Sequence, residues 1–281
     1  MSQSATVSPL SAAHRGWPAR LELQLAAAGG RTVLVGRQHE GPLLVQRPFY
    51  PEGPVCHLYL VHPPGGVAGG DHLSLRIDAG PATQSLVTTP AATKIYRSFS
   101  SRVSQVEQQL IATDATLEWL PQETIVFRGA HTRLTTRVQL AGGAKFIGWE
   151  ILCLGRPASH EVFDAGCIAQ DFELWHENRP LLIDRLRLRG GDSSLQAQWG
   201  LGGASALGTM LVCPATAAHL ALVREHAASS GIAASLVDGV LLVRLRAEQG
   251  ETVRRELESL WRVLRPGFSG TAATAPRIWA T

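Results

Sequence analysis

Apolar and polar residues alternate with a period of two along most of this chain. Leu21, Leu23 and Leu25 recur at every second position, and His72, Ser74, Arg76 and Asp78 oppose Leu73, Leu75 and Ile77 in the cleanest two-faced run. Comparable runs are predicted as strands over 20–26, 32–36, 43–47, 55–62, 72–78, 84–88 and 103–112. Others follow over 116–120, 124–127, 133–140, 145–154, 168–175, 181–188, 206–213 and 240–246, with Gly or Pro between most of them. Closely spaced strands with turn punctuation predict a mainly β architecture instead of alternating βα units. No repeat of fixed length is visible, so a solenoid built from these strands has to be a degenerate one. Only the last quarter changes period. An Ala- and Leu-rich run after Pro214 predicts a helix near 215–228. Val253, Leu257, Leu260, Trp261 and Leu264 share one face of a second, near 250–265, that Pro266-Gly267 should stop.

The densest punctuation lies at 62–71, HPPGGVAGGD, between two alternating runs. Backbone amides in glycine-rich loops bind phosphate, but this one lacks the GK[ST] ending of a P-loop, and a strand follows where a helix N-terminus is required. It reads as a connection between sheets. Asp71 and His72 stand at its exit, with Thr88 and Lys94 beyond the next turn. The length of 281 residues and 45% apolar content suit an ordered chain, and no apolar run is long enough to span a membrane. A formal charge of +3 scattered along the chain suggests no nucleic-acid partner. The opening MSQSATVSPLSAAHRG lacks a basic start and apolar block, so residues 1–18 read as a disordered lead-in to a cytoplasmic protein. Cys56, Cys153, Cys167 and Cys213 form no CxxC pair and read as buried reduced thiols.

No GxSxG elbow or local Cys–His spacing supports a nucleophilic hydrolase. Carboxylates and histidines beside turns are more suggestive: Asp71, His72, Glu118, Glu123, Glu150 and Asp164, with His57 and His62 flanking the glycine loop. Hard oxygen and borderline nitrogen donors suit nickel, zinc or iron, yet no i, i+4 or clustered spacing builds a tight site. A dispersed set fits a polar passage where each group binds weakly, or a series of solvated faces and hydrogen-bonded pairs. Pro121 breaks the strand between Glu118 and Glu123, placing them at a bend. Trp119 and Trp149 are expected in the core, and the Ile278-Trp279 tail is expected to dock onto the β core or a partner.

Four blocks resemble the urease accessory protein UreD family, also called UreH: HPPGGVAGGDHL (62–73), TTPAATKIYRS (88–98), LEWLPQETIVFRGA (117–130) with GWEILCLGR (148–156), and PRIWAT (276–281). They stand in family order across nearly the whole chain; Pro90-Ala91 departs from the family's usual turn. The resemblance implies a superhelical, β-helix-like stack of β-sheets over 19–281 as a single domain, with a small helical part near the C-terminus. It implies a non-enzymatic maturation factor that joins UreF and the GTPase UreG on apo-urease and helps deliver Ni2+ through an internal tunnel. No tightly bound cofactor is expected, only transient nickel. Asp71, His72, Glu118, Glu123, Glu150 and Asp164, supported by Thr88 and Lys94, are the candidates to line that path. Two other readings remain open: a passive scaffold with no nickel transit, and a metal-dependent hydrolase using His62, Asp71 and His72.

Overall fold

A computed structural model describes residues 16–227 and 231–280. The strands wind into a β-solenoid of about four turns, with two α-helices among the described residues. The first turn comprises β1 (Pro18–Ala28), β2 (Arg31–Glu40), β3 (Leu44–Val45), β4 (Cys56–Val61) and β5 (Gly66–Val67). The second contains β6 (His72–Ala79), β7 (Gln84–Thr88) and β8 (Thr93–Ile95), and the third β9 (Ser104–Thr113), β10 (Thr116–Trp119) and β11 (Thr124–Val126). β12 (His131–Ala141) and β13 (Lys145–Leu154) complete the fourth. Then follow β14 (Cys167–His176), β15 (Arg179–Arg189), β16 (Ala206–Cys213), α1 (Ala217–His226), β17 (Ala233–Val237), β18 (Val240–Ala247) and α2 (Gly250–Ser269).

Equivalent strands of successive turns pair in parallel. The first sheet runs β2-β1-β6-β9-β12-β14-β15, and the second runs β3-β4-β7-β10-β13-β16-β18-β17. A short third stack joins β5, β8, β11 and the end of β13. Parallel register aligns like positions from turn to turn: Leu21 stands beside Leu75, Leu75 beside Gln108, Gln108 beside Thr136, and Thr136 beside Phe172. The period of two therefore becomes a wall with one face inward.

Two apolar cores result. Leu21, Leu75, Leu117, Trp119 and Phe146 fill the solenoid interior. The opposite face of the second sheet, with Leu86, Ile147, Trp149 and Ile151, packs against Val253, Leu257, Leu260 and Trp261 of α2. Fully burying a side chain of this size contributes about 1.5–3 kcal/mol, so the amphipathic stripe holds α2 flat on the sheet. Trp279 joins this second core, packing against Trp149 and Trp261 and donating its indole N–H to Thr88 Oγ1 at 2.8 Å. The tail thus docks on the β core. Trp119 and Trp149 are buried, and all four cysteines are free, three of them buried and Cys167 partly so.

Several expectations change. The lead-in over 1–18 lies up to residue 15 outside the described residues; Pro18 already opens β1, because Asp71 Oδ1 accepts the Trp17 N–H at 2.8 Å and brings this segment to the sheet edge. α1 begins at Ala217, where the Thr216 N–H donates to His219 Nδ1 at 3.0 Å, and Ala228 lies outside the described residues. α2 runs past Pro266 to Ser269, because Phe268 is buried and Gly270, at φ 77°, caps the helix by donating its N–H to the Pro266 carbonyl. β5, β8 and β17 are too short or too rich in small residues to display a period, and pairing alone makes them strands. The glycine loop carries β5: a Cβ on Gly66 would lie 2.4 Å from the Tyr96 ring and 2.8 Å from the Lys94 carbonyl oxygen. Gly70, at φ 96°, makes the turn back into β6.

Candidate functional site

Three cavities are strung through the solenoid. The first, about 140 Å3, lies between the Val61–Gly65 turn, Thr89–Thr93 and the inner faces of β6 and β9, with Trp119 on its wall. It shares Thr89, Thr93, Val106 and Gln108 with a second of about 60 Å3, which continues past Gln122 and Thr124 to Thr136. That one shares Glu150 and Gln170 with a third of about 770 Å3, which opens between β15, β18 and the 194–201 loop. The three are separate spaces that share wall residues, and together they extend from the glycine loop to the far end of the solenoid.

Inward positions that break the apolar phase make the second cavity polar. Gln108 on β9, Thr136 on β12 and Gln170 on β14 each occupy the phase otherwise filled by residues such as Leu110, Val138 and Phe172. Glu150 does the same on β13, where Phe146 and Leu152 face inward and Trp149 faces α2. Thr136 Oγ1 contacts the Gln108 Oε1 at 2.7 Å and also one oxygen of the Glu150 carboxyl, while the Gln170 amide donates to the other. One hydroxyl proton cannot serve two acceptors, and a neutral Glu150 that donates to Thr136 satisfies both contacts. Burial pushes the Glu150 pKa up to about 7, against the pull of the Thr136 and Gln170 hydrogen bonds and with a further push from Asp184. At the glycine-loop end, burial holds the His62 imidazole below its ordinary range, partly offset by Asp71. His62 Nδ1 and Trp119 Nε1 have no hydrogen-bond partner among the described residues, and both residues line the first cavity. The interior therefore offers separated donors instead of one coordination shell. Among the described residues, no three His, Cys, Asp or Glu side chains group as a metal site.

The family description "UreD urease accessory protein" matches residues 18–280. The chain belongs to that family. UreD-family relatives named urease accessory protein UreD include one from Klebsiella aerogenes, 44% identical over 271 residues that cover 95% of this chain and 98% of that protein. Another, from Alkalilimnicola ehrlichii, is 42% identical over 282 residues covering 99% of this chain and 94% of its own. A third, from Pseudomonas putida, is 42% identical over 268 residues covering 95% of each.

Of the six candidate ligands in this UreD-family chain, Glu150 alone lines these three cavities. Asp71 spends its carboxylate on backbone, accepting from the Trp17 N–H and, at 2.7 Å, from the Ala68 N–H. His72 is exposed on the outer face of the first sheet, 3.4 Å from Glu107. It therefore does not converge with His62 and Asp71. Asp164 is an exposed partner of Arg128. Glu123 pairs with Arg254 of α2 at 3.2 Å. Glu118 is buried on the α2 side of the second sheet, where it accepts from Trp261 Nε1 at 2.6 Å and Arg265 Nε at 2.9 Å. Arg265, fully buried, also donates to both oxygens of Glu52, which in turn contacts His57 Nε2 at 2.6 Å. Burial raises the Glu52 carboxyl, but hydrogen bonds from His57 and Arg265 outweigh it and hold the group below the ordinary carboxylate range. Thr88 anchors Trp279, and Lys94 is exposed.

His62, Gln108, Thr136 and Gln170 also line these cavities, and the three polar strand residues are absent from the candidates drawn from sequence. Their signal is present in the alternation: each is a polar residue on the apolar phase of a strand. A search for ligands by charge passes over such neutral amide and hydroxyl oxygens.

Proposed function

We propose that this chain is a nickel-insertion chaperone of urease maturation that joins UreF and the GTPase UreG on apo-urease and passes Ni2+ to the urease active site. In this reading the metal is cargo, the chain catalyses nothing, and no cofactor is held. The observation that carries it is the row of three cavities, neighbours sharing wall residues, past His62 and Glu150. An ion in transit needs donors that replace part of its water shell, yet a full set of protein ligands would trap it. His62 offers a neutral nitrogen, Gln108 and Gln170 offer amide oxygens, and Glu150 offers a carboxyl that an arriving cation can deprotonate. Family membership supports the accessory role. The absence of a long apolar helix among the described residues fits work away from a bilayer core, and the cytoplasm is the compartment proposed.

The path is tested by substitution at its junctions. Glu150→Gln removes the ionisable group between the second and third cavities, and Thr93→Met narrows the junction of the first and second. Each variant is co-expressed with UreF, UreG and apo-urease, and both nickel content and co-elution of the complex are measured. Nickel in urease is expected to fall at least tenfold while the complex still assembles. Normal nickel content in both variants would sink the conduit and leave the passive scaffold.

A further inference from the structure

The two main sheets face each other along the solenoid but do not end together. The first stops at β15, whereas the second continues through β18 to β17. Arg244 on β18 reaches Asp184 on β15 at 2.6 Å, so these two strands oppose one another. Among the described residues, no strand of the first sheet stands opposite β17. The cleft of about 770 Å3 opens there, with Gly231 and Ala233 on one wall and β15 on the other. β17 leaves Ala233, Ser235 and Val237 exposed, Val237 by 58%, and Trp199 stands beside the cleft 79% exposed. Trp17, Phe99 and Val162 are exposed elsewhere, but at this edge Trp199 and Val237 adjoin an open cleft, the setting in which exposed apolar surface marks a place that something covers.

The edge itself specifies the chemistry of the cover. β15 pairs with β14 on one side and, among the described residues, with no strand on the other. Asp184, Leu186 and Leu188 turn toward the interior, while Ile183, Arg185, Arg187 and Arg189 lie on the opposite face. Arg187 is held by Asp171 at 2.6 Å, but Arg185 has no ion-pair or hydrogen-bond partner among the described residues. A row of arginines repels a second copy of the same edge, which argues against pairing with another molecule of this chain. It attracts carboxylates, and the unpaired backbone can bond an extended chain.

We propose that an extended acidic segment of a partner protein adds to β15 as a further strand, seated opposite β17. Its apolar side chains would lie toward Ala233 and Val237, and its carboxylates toward Arg185 and its neighbours. Main-chain hydrogen bonds supply affinity, and the alternation of acidic with apolar residues supplies selectivity. A nucleic acid would also meet the arginines, but it cannot continue the backbone ladder of β15.

The test uses the full chain and a fluorescein-labelled ten-residue peptide alternating Glu and Val, with binding read by anisotropy. Saturable binding is expected, weakened at least tenfold by Arg185→Glu and by Val237→Glu, two exposed positions whose folding is checked by circular dichroism. Two further peptides carry N-methyl groups on every Glu or on every Val. One of them should fail to bind, since only one set of amides faces β15. Equal binding of both N-methylated peptides would exclude strand addition, and indifference to both substitutions would exclude this edge. Tighter retention of a ten-nucleotide single-stranded RNA than of the acidic peptide would assign the arginines to nucleic acid and overturn the proposal. No arm of the test involves nickel, so its outcome is independent of the conduit.

Discussion

Glu150 shows how a single position acquires its character from its surroundings. Its pKa of about 7 lies above the ordinary 4.5, so between those values the folded chain keeps a proton that the unfolded chain has released. Stability is therefore greatest below pH 4.5 on this account, declines as pH rises, and has lost the whole contribution above about 7. Glu150→Gln should abolish that slope and raise stability at pH 8 by roughly 1–3 kcal/mol, read from urea unfolding at pH 5 and pH 8. An equal slope in wild type and variant would disprove the assignment. Arg265 makes the opposite case, a charge whose removal strands its partners. Arg265→Met leaves Glu118 and Glu52 buried without their cation, and a loss of about 3–5 kcal/mol is expected in thermal or urea unfolding. Changing Glu118→Gln as well should recover part of it. The residue types at both sites are evident from the chain, but their faces are not. Glu118 and Glu150 look alike in sequence, and one faces α2 while the other faces the interior cavities.

At the scale of the element, alternation predicts the long strands and the 3.6 period predicts α2, because each carries enough residues to show its buried face. The two-residue β5 and three-residue β8 carry no such signal. They exist because glycine lets one backbone approach another, and Gly66→Ala should test this directly. The added methyl must displace Tyr96 or the Lys94 backbone, at a cost of roughly 1–3 kcal/mol. A shift in the Tyr96 environment by near-ultraviolet circular dichroism should accompany the lowered melting temperature, and wild-type behaviour would show that the loop has room to spare. α2 teaches the same lesson at its end. Pro266 is a reasonable stop by local rules, yet burial of Phe268 and the Gly270 cap carry the helix another turn.

Over the whole molecule, protection should follow position in the stack. Amides of β7, β10 and β13, paired on both sides and covered by α2 or the interior core, should be the slowest to exchange with deuterium. Those of β2, β15 and β17 stand at sheet edges and should exchange first; faster exchange in β10 than in β17 would contradict this layered stability. The sequence by itself determined the β character, the positions of most long strands, the amphipathic α2 and the family, since all of these reside in local periodicity or in ordered motifs. Tertiary structure alone decided which polar residues meet. Parallel register sets Gln108 beside Thr136 and places Gln170 one inward position away on the next strand, and the facing of the two sheets brings Glu150 against Thr136 and Gln170. The physical reason is that a period of two assigns a residue to one of two faces, but whether that face meets a core, a helix or a cavity depends on the chain returning several turns later.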